Sequence, residues 1–567
     1  MDIREELDFW KEHVSGQERA ELEELAAHPD ELQDAFYREL AFGTAGLRGI
    51  IGLGPNRMNV YTVGKATQGF ADYLNAHFDK PSVALARDSR HKGVDFIRVS
   101  ACVLAANGIR AYVFDDIQPT PVLSFAVRKL GCCGGINITA SHNPAEYNGY
   151  KAYGPDGCQI KTEAAHEIQD AIDELGFFDD VHVADYDDAR GQGLIVSAGA
   201  DVVESFLDAV AAQSVEPLDA PACDLKVVYT PLNGTGLFCV KSILSRVGIH
   251  DVHVVPEQAE PDGDFPTCPY PNPEFREALE RGLALCEKVH PDLLLATDPD
   301  ADRVGIAVPH EGDYELLTGN EVGVLLLDYI CSRRKARGED LSRAVAVTTI
   351  VSSLMPDALA KTYGFELRRV LTGFKYIGGQ IGLLEDAGEV ERFIFGYEES
   401  YGYMSGPHVR DKDAVNASML ICQMANWYKG QGFDLVEAME RLYETYGFYL
   451  NRTVNVQYPG SAGAEKMRQI MERLRKEHPA ELAGMSVSGF TDFGPGIPMP
   501  TNDPKDEQML PPANVVSFEL AEGTKVLVRP SGTEPKIKAY LFAKADDRTS
   551  AEKLLDELEA DARKLLE

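Results

Sequence analysis

The chain has 567 residues, with 55 lysines and arginines against 90 aspartates and glutamates, a formal net charge of −35. At roughly 150 residues per domain the length suggests about four domains, and 44% hydrophobic with 26% charged residues excludes disorder as a description of the whole. The acidic balance argues against nucleic acid or an anionic membrane as the main partner. It leaves room for a small anionic substrate held by locally concentrated basic groups.

Met1-Asp2-Ile3-Arg4-Glu5-Glu6 lacks the apolar core of a secretory signal, and no apolar run approaches the ~18 residues of a spanning helix. The ten cysteines are scattered and form no CxxC pair, so buried, reduced thiols are expected rather than a disulfide framework or a zinc knuckle. A cytoplasmic location follows as an expectation.

In chain order, residues 4–41 are rich in Glu, Leu and Ala at helical spacing and predict a helical extension. Strands are then predicted at 82–86, 111–114 and 135–139, with a helix over 96–106. The acidic, glycine-containing stretch 185–193 reads as a surface loop. The alternation restarts with strands at 225–229, 252–255 and 293–296 around helices at 237–247 and 274–289. It restarts again with strands at 345–349, 367–370 and 393–395 and a helix near 355–363. Such alternation marks βαβ units around a largely parallel sheet. The tail differs, with strands at 515–519, 525–529 and 537–542 between helices at 464–477 and 550–566, an α+β pattern. The predicted domains are 1–205, 206–325, 326–447 and 448–567.

Four polar loops carry the chemistry, three of them just beyond predicted strands, where open α/β sheets bind ligands. Thr139-Ala140-Ser141-His142-Asn143-Pro144 places a candidate nucleophile beside an acid–base group, although the same residues also make an ordinary turn. It is not a GxSxG elbow. Asp298, Asp300 and Asp302 alternate directly after an apolar strand. Gathering three carboxylates costs repulsion unless a cation is bound, and hard oxygen ligands favour Mg²⁺. An EF-hand is excluded by Arg303 at its sixth position and Pro309 at its twelfth. Gly396-Tyr397-Glu398-Glu399-Ser400-Tyr401-Gly402 offers a carboxylate and a hydroxyl two residues apart in an extended loop, suited to a sugar's vicinal hydroxyls. Arg529-Pro530-Ser531-Gly532-Thr533-Glu534-Pro535 offers hydroxyls and backbone N–H groups around a glycine, a phosphate cradle. No Walker loop and no complete GxGxxG occurs.

Taken together and in this order, the four loops resemble the α-D-phosphohexomutase superfamily, the phosphoglucomutases and phosphomannomutases, over about residues 40–567. Gly43-Thr44-Ala45-Gly46-Leu47-Arg48-Gly49 is similar to the family's N-terminal glycine-rich loop. The resemblance implies three similar α/β domains with mixed sheets plus a C-terminal α+β domain, arranged around a central cleft. It implies a phosphorylated Ser141, with Asp298, Asp300, Asp302 and a phosphoserine oxygen holding Mg²⁺. It implies that Arg303, Glu398 and Ser400 contact substrate and that Arg529, Ser531, Gly532 and Thr533 hold the non-reacting phosphate. Arg48, His142, Lys151 and Lys412 match the basic positions of the reaction centre. The implied reaction moves phosphate between C1 and C6 of a hexose through a sugar 1,6-bisphosphate.

Pro299, Ala301, Tyr397 and Ala145-Glu146 stand where many members have glycine. These variants are similar to the branch containing bacterial phosphoglucomutases and the mammalian enzymes of phosphopentoses, so glucose, mannose and pentose phosphates all stay open. Two other classes compete: a haloacid-dehalogenase-type phosphatase using Asp298 as nucleophile, and a non-catalytic sugar-phosphate sensor. Asp302 at the fifth position of D-x-D-x-[TV] disfavours the first, and retention of Ser141 with all three aspartates disfavours the second.

Overall fold

The computed structural model describes residues 3–43, 46–217, 224–531 and 536–567. The chain forms two compact units. The first comprises residues 1–316, 381–390 and 402–426, the second 317–380, 391–401 and 427–567.

The first unit opens with helices Ile3–His13, Gly16–Leu25 and Pro29–Phe36, as the Glu/Leu/Ala pattern predicts. They share a small core in which fully buried Trp10 meets Phe36, Tyr61, Phe177 and Phe178. A six-stranded mixed sheet follows. Its strands lie in the order Gly46–Ile50, Tyr147–Tyr153, Gly134–Ile138, Ser82–Arg87, Arg110–Val113 and Ile195–Ser197. The last four run parallel, while Tyr147–Tyr153 is antiparallel to both of its neighbours. Helix Val60–His77 packs on this sheet and starts with a reciprocal cap between Asn59 and Thr62, which satisfies its orphan N–H groups.

A second, five-stranded sheet has Leu293–Thr297 parallel to Lys226–Thr230 and antiparallel to Val304–His310. Every residue of Leu293–Thr297 is buried, as expected where helices cover a parallel strand. The stretch 185–193 corrects the expectation of a loop: Tyr186–Gly191 is a short helix. Asp185 caps it by accepting from the N–H groups of Asp187 and Asp188, each at 3.0 Å, and the acidic first turn complements the helix dipole.

In the second unit, Glu366–Val370, Val345–Thr349 and Phe393–Glu398 run parallel. The last of these corrects the expected strand end at 395. Its pairing continues to Tyr397 opposite Thr348, so Glu398 closes a strand rather than riding on a loop. Residues 499–508 cover the outer edge of Glu366–Val370. Pro500 accepts from Arg369 N, and the Asn502 side chain accepts from Leu367 N and donates to Phe365 O. The edge is thereby blunted. The tail is a five-stranded antiparallel sheet, Phe448–Gln457, Lys536–Ala545, Lys525–Pro530, Val516–Glu519 and Gly489–Asp492, with helices Gly460–Lys476 and Arg548–Leu565, the α+β arrangement predicted. The described cysteines are free thiols, and no described helix is long and apolar enough to cross a membrane.

Candidate active site

Two strand ends of the first unit deliver the central groups. Ser141 follows Gly134–Ile138, and the three aspartates follow Leu293–Thr297. Both loops turn through a non-glycine residue in the left-handed region, Ser141 at φ 53° and Ala301 at φ 48°. Such conformations persist only where the surroundings enforce them. Here Thr139 Oγ1 accepts from Ser141 N at 2.8 Å, and the Asp298 carboxylate accepts from Asp302 N and Arg303 N.

The result is a compact, mostly buried cluster. Ser141 Oγ donates to Asp298 Oδ2 at 3.0 Å and lies 3.2 Å from His142 Nδ1. Lys151 Nζ lies 2.7 Å from Asp300 Oδ2 and 3.5 Å from Asp302 Oδ2, while Lys412 Nζ is 3.1 Å from Asp302 Oδ2. Lys151 projects from Tyr147–Tyr153, whose neighbouring edge strand carries Arg48. Gly46 opposes Lys151 there, and a Cβ at Gly46 would lie 1.7 Å from Tyr150 O, so only glycine permits this pairing. A Cβ at Gly402 would likewise strike the Lys412 stem at 2.2 Å. Arg48, exposed, reaches Asn143 Oδ1 at 3.3 Å, and Arg303 pairs with Glu274 at 2.8 Å.

Burial and neighbouring charge set the protonation states of this cluster. Burial and the adjacent Asp300 and Asp302 push the Asp298 carboxyl well above its ordinary range. Burial and Asp300 also raise Asp302. Burial opposes ionisation of Asp300 as well, but Lys151, the Thr120 hydroxyl and Lys412 together outweigh it and hold that group low. Burial disfavours charge on Lys151, and Asp300 and Asp302 more than offset it. Burial, Arg303 and Arg48 hold His142 well below the ordinary imidazole range.

One carboxylate oxygen from each aspartate lies within 4.8 Å of the others. Asp300 Oδ1 and Asp302 Oδ1 are buried with no hydrogen-bond partner among the described residues. Buried carboxylates gathered this closely, two of their oxygens without a hydrogen-bond partner, fit a divalent cation.

Four supporting residues carry no sequence signal of their own. Thr120 donates its hydroxyl to Asp300 Oδ2, accepts from Asn137 Nδ2 and donates its N–H to Asp300 O, each at 2.8 Å. Asp411 accepts from Lys412 N and Lys412 Nζ on one oxygen and from Tyr153 Oη and Gln159 Nε2 on the other. Asp88 and Arg90 lie beneath the Ser141 loop. The adjacency of Asp411 to Lys412 is the only one of these placements a sequence displays.

The remaining candidates lie in the second unit. Glu398 Oε1 accepts from Gly373 N at 2.8 Å, and Thr349 Oγ1 donates to Glu399 Oε2 at 3.3 Å. Ser400 is half-buried. Arg529 stands opposite Lys538 in the tail sheet, and both cations act on Glu399. Ser531 N donates to Lys536 O at 2.8 Å. Gly532 and Thr533 lie outside the described residues, as do Thr44 and Ala45 of the first glycine-rich loop.

Comparison with known proteins gives concordant matches. Profiles of phosphoglucomutase/phosphomannomutase alpha/beta/alpha domains I, II and III match residues 39–178, 204–312 and 318–446. A phosphoglucomutase of Staphylococcus epidermidis is 38% identical over 521 residues, 91% of this chain and 93% of that protein. One from Staphylococcus aureus is 37% identical over 516 residues, 91% of each chain. Among solved structures, the phosphoglucomutase parafusin of Paramecium, in an open form, aligns at TM-score 0.66 and 19% identity over 93% of this chain and 95% of that one. A phosphoglucomutase/phosphomannomutase family protein of Burkholderia thailandensis aligns at TM-score 0.65 and 16% identity, covering 92% and 97%.

Proposed function

The chain belongs to the phosphoglucomutase/phosphomannomutase family, and from that premise we propose that it interconverts hexose 1-phosphate and hexose 6-phosphate through a phosphorylated Ser141. The observation that carries this reading is Ser141 Oγ bonded to Asp298 inside a ring of three aspartates and two lysines. With a divalent cation on the three carboxylates and the two lysines beside them, a serine held there would have the positive charge that phosphoryl transfer requires. The phosphatase and sensor readings have no comparable support.

In this reading the phosphoserine gives its phosphoryl group to the free 1- or 6-hydroxyl of the bound sugar phosphate. The bond from phosphorus to Ser141 Oγ breaks as the bond to the sugar oxygen forms, and the hydroxyl proton leaves to a base. The resulting 1,6-bisphosphate reorients and returns its other phosphoryl group to Ser141. Asp298, Asp300, Asp302 and an oxygen of the phosphoserine would hold Mg²⁺, which supplies Lewis-acid polarisation of the phosphoryl oxygens. Lys151 and Lys412 add positive charge at the carboxylates. His142 Nδ1, 3.2 Å from Oγ, offers it a hydrogen-bonding partner.

Arg48 and Arg303 are assigned to substrate phosphate, and Glu398 and Ser400 to the sugar hydroxyls. The Arg529–Thr533 loop is assigned to the phosphate that is not reacting. We divide the chain functionally near 205, 325 and 447 into phosphoserine, metal, sugar and phosphate modules, a division supported by the three matched domains. Sugar phosphates are the proposed partners, with a sugar 1,6-bisphosphate as activator and the cytoplasm as location.

The deciding experiment is turnover of glucose 1-phosphate, mannose 1-phosphate and ribose 1-phosphate, each with Mg²⁺ and its bisphosphate. Glucose 1-phosphate is expected to dominate, in keeping with the phosphoglucomutase relatives. Preference for ribose 1-phosphate would convert the assignment to a phosphopentomutase, and no turnover of any would overturn it.

A further inference from the structure

One buried side chain makes four bonds to the backbone of the Ser141 loop. Arg90 follows strand Ser82–Arg87 and is 2% exposed. Its guanidinium donates to four backbone carbonyls of the neighbouring loop. Nη1 reaches Pro144 O at 2.7 Å and Tyr147 O at 2.9 Å, while Nη2 reaches Ser141 O at 2.7 Å and also Asn143 O. The remaining nitrogen, Nε, lies 3.3 Å from Asp88 Oδ2, and the other Asp88 oxygen accepts from Arg90 N at 2.9 Å. The Phe265 ring closes the guanidinium face at 5.0 Å. Asp88 is itself fully buried and accounts for the charge of Arg90 locally, without a substrate.

We propose that Arg90 is a positioning residue for phosphoryl transfer, a clamp that holds the Ser141 loop in its left-handed turn and thereby aims Oγ at the three aspartates. This rests on the reading of Ser141 as the phosphoryl carrier. The loop turns through a non-glycine residue at φ 53°, and of the four carbonyls Pro144 O also accepts from Tyr147 N at 3.1 Å, so the guanidinium adds a shared partner to carbonyls that the turn brings together. One planar group with five donors in a fixed fork can satisfy four of them and still face a carboxylate. An ammonium has three donors and no plane, so lysine cannot reproduce the pattern. Each carbonyl belongs to a different residue between 141 and 147, so the clamp sets the path of the whole loop. Misplacement of a reacting atom by about 1 Å costs on the order of 100-fold in rate.

The test uses the Mg²⁺-loaded protein charged with glucose 1,6-bisphosphate, with Ser141 phosphorylation read by intact mass. Transfer to glucose 6-phosphate is then followed in a single turnover. Arg90→Lys is expected to slow the transfer rate constant roughly 10- to 100-fold, with the amplitude retained and half-saturating glucose 6-phosphate unchanged within about twofold. A merely structural role would lower the amplitude, through fewer folded molecules, and leave the rate constant alone. That result overturns the clamp. Should Arg90→Lys fail to fold, Phe265→Leu removes only the stacked ring and is expected to slow transfer roughly two- to fivefold at full amplitude. An unchanged rate constant there overturns the proposal equally. A wild-type protein that never gains the phosphoryl mass instead overturns the reading of Ser141, and the clamp's purpose with it.

Discussion

Ser141 Oγ and Asp298 Oδ2 meet at 3.0 Å although 157 positions separate them in the chain. The bond joins the end of one sheet's strand to the end of the next sheet's strand, so the two α/β motifs supply one site. In the proposed reaction neither residue suffices alone: the serine would need a cationic setting to hold a phosphoryl group, and the carboxylates a cation to offset their repulsion.

The first expectation concerns the serine itself. Ser141→Ala removes the hydroxyl and leaves Thr139 as its backbone support. Incubation with glucose 1,6-bisphosphate should add one phosphoryl mass to the wild type and none to the variant, and mutase turnover should vanish. Full turnover in the variant would refute the assignment.

Asp300→Asn tests the metal site. It deletes a charge that Lys151 holds ionised and an oxygen that is buried without a hydrogen-bond partner. Calorimetry should find Mg²⁺ binding weakened at least tenfold, about 1.4 kcal/mol, with the circular dichroism spectrum unchanged. Chelation should stop wild-type turnover and added Mg²⁺ restore it. Equal Mg²⁺ affinity in the two proteins would remove Asp300 from the ligand set.

The three aspartates are legible in the sequence because carboxylates alternating directly after an apolar strand repel one another unless a cation joins them. The family resemblance rests on all four loops occurring in order. Arg90 is not legible. Its partners are backbone carbonyls 51 to 57 positions away, which no side-chain pattern encodes. Thr120 is hidden for the same reason, its bond to Asp300 spanning 180 positions. The helix at Tyr186–Gly191 escapes because its acidic composition reads as a solvated loop until Asp185 is seen capping it. The extension of Phe393–Glu398 depends on its pairing with Val345–Thr349, a tertiary fact.

The N-terminal helices give a stability test. Trp10 is fully buried against four aromatic rings and donates to Glu6 at 3.1 Å. Trp10→Ala should cost about 3–5 kcal/mol of local stability. Hydrogen exchange across Ile3–Phe36 should accelerate accordingly, while exchange in the tail sheet stays as it was. Unaltered protection would mean that these helices are held by something other than this aromatic core.

Glu399 gives a pH test. Burial, then the neighbouring Glu398, raises its carboxyl from 4.5 to about 7, despite opposing contributions from Lys538 and Arg529. The folded state therefore binds a proton that the unfolded state has already lost between pH 4.5 and about pH 7. Stability from this group is fully present below that window and is lost as the pH rises through it. Glu399→Gln keeps the shape and removes the titration, so the melting temperature of the variant should fall less across this interval than that of the wild type. Parallel melting profiles would show that Glu399 ionises normally.

Arg529 separates phosphate holding from chemistry. It sits at the end of Lys525–Pro530, opposite Lys538, beside the loop that Ser531 N and Lys536 O close at 2.8 Å. A charge-assisted contact from arginine to phosphate contributes on the order of 1.5–3 kcal/mol. Arg529→Ala should therefore lower kcat/KM roughly 10- to 100-fold. The Ser141 cluster lies in the other compact unit and keeps all of its contacts, so the variant should still acquire the phosphoryl mass from glucose 1,6-bisphosphate, though more slowly. The bisphosphate must be gripped while it reorients, so a weakened cradle should also release more of it to solvent and make turnover depend more strongly on added bisphosphate. Single-turnover measurement of free bisphosphate reads this directly. Unchanged kcat/KM together with unchanged release would show that Arg529 does not hold the non-reacting phosphate. A loss of Ser141 phosphorylation equal to the loss of turnover would place Arg529 in the chemistry instead.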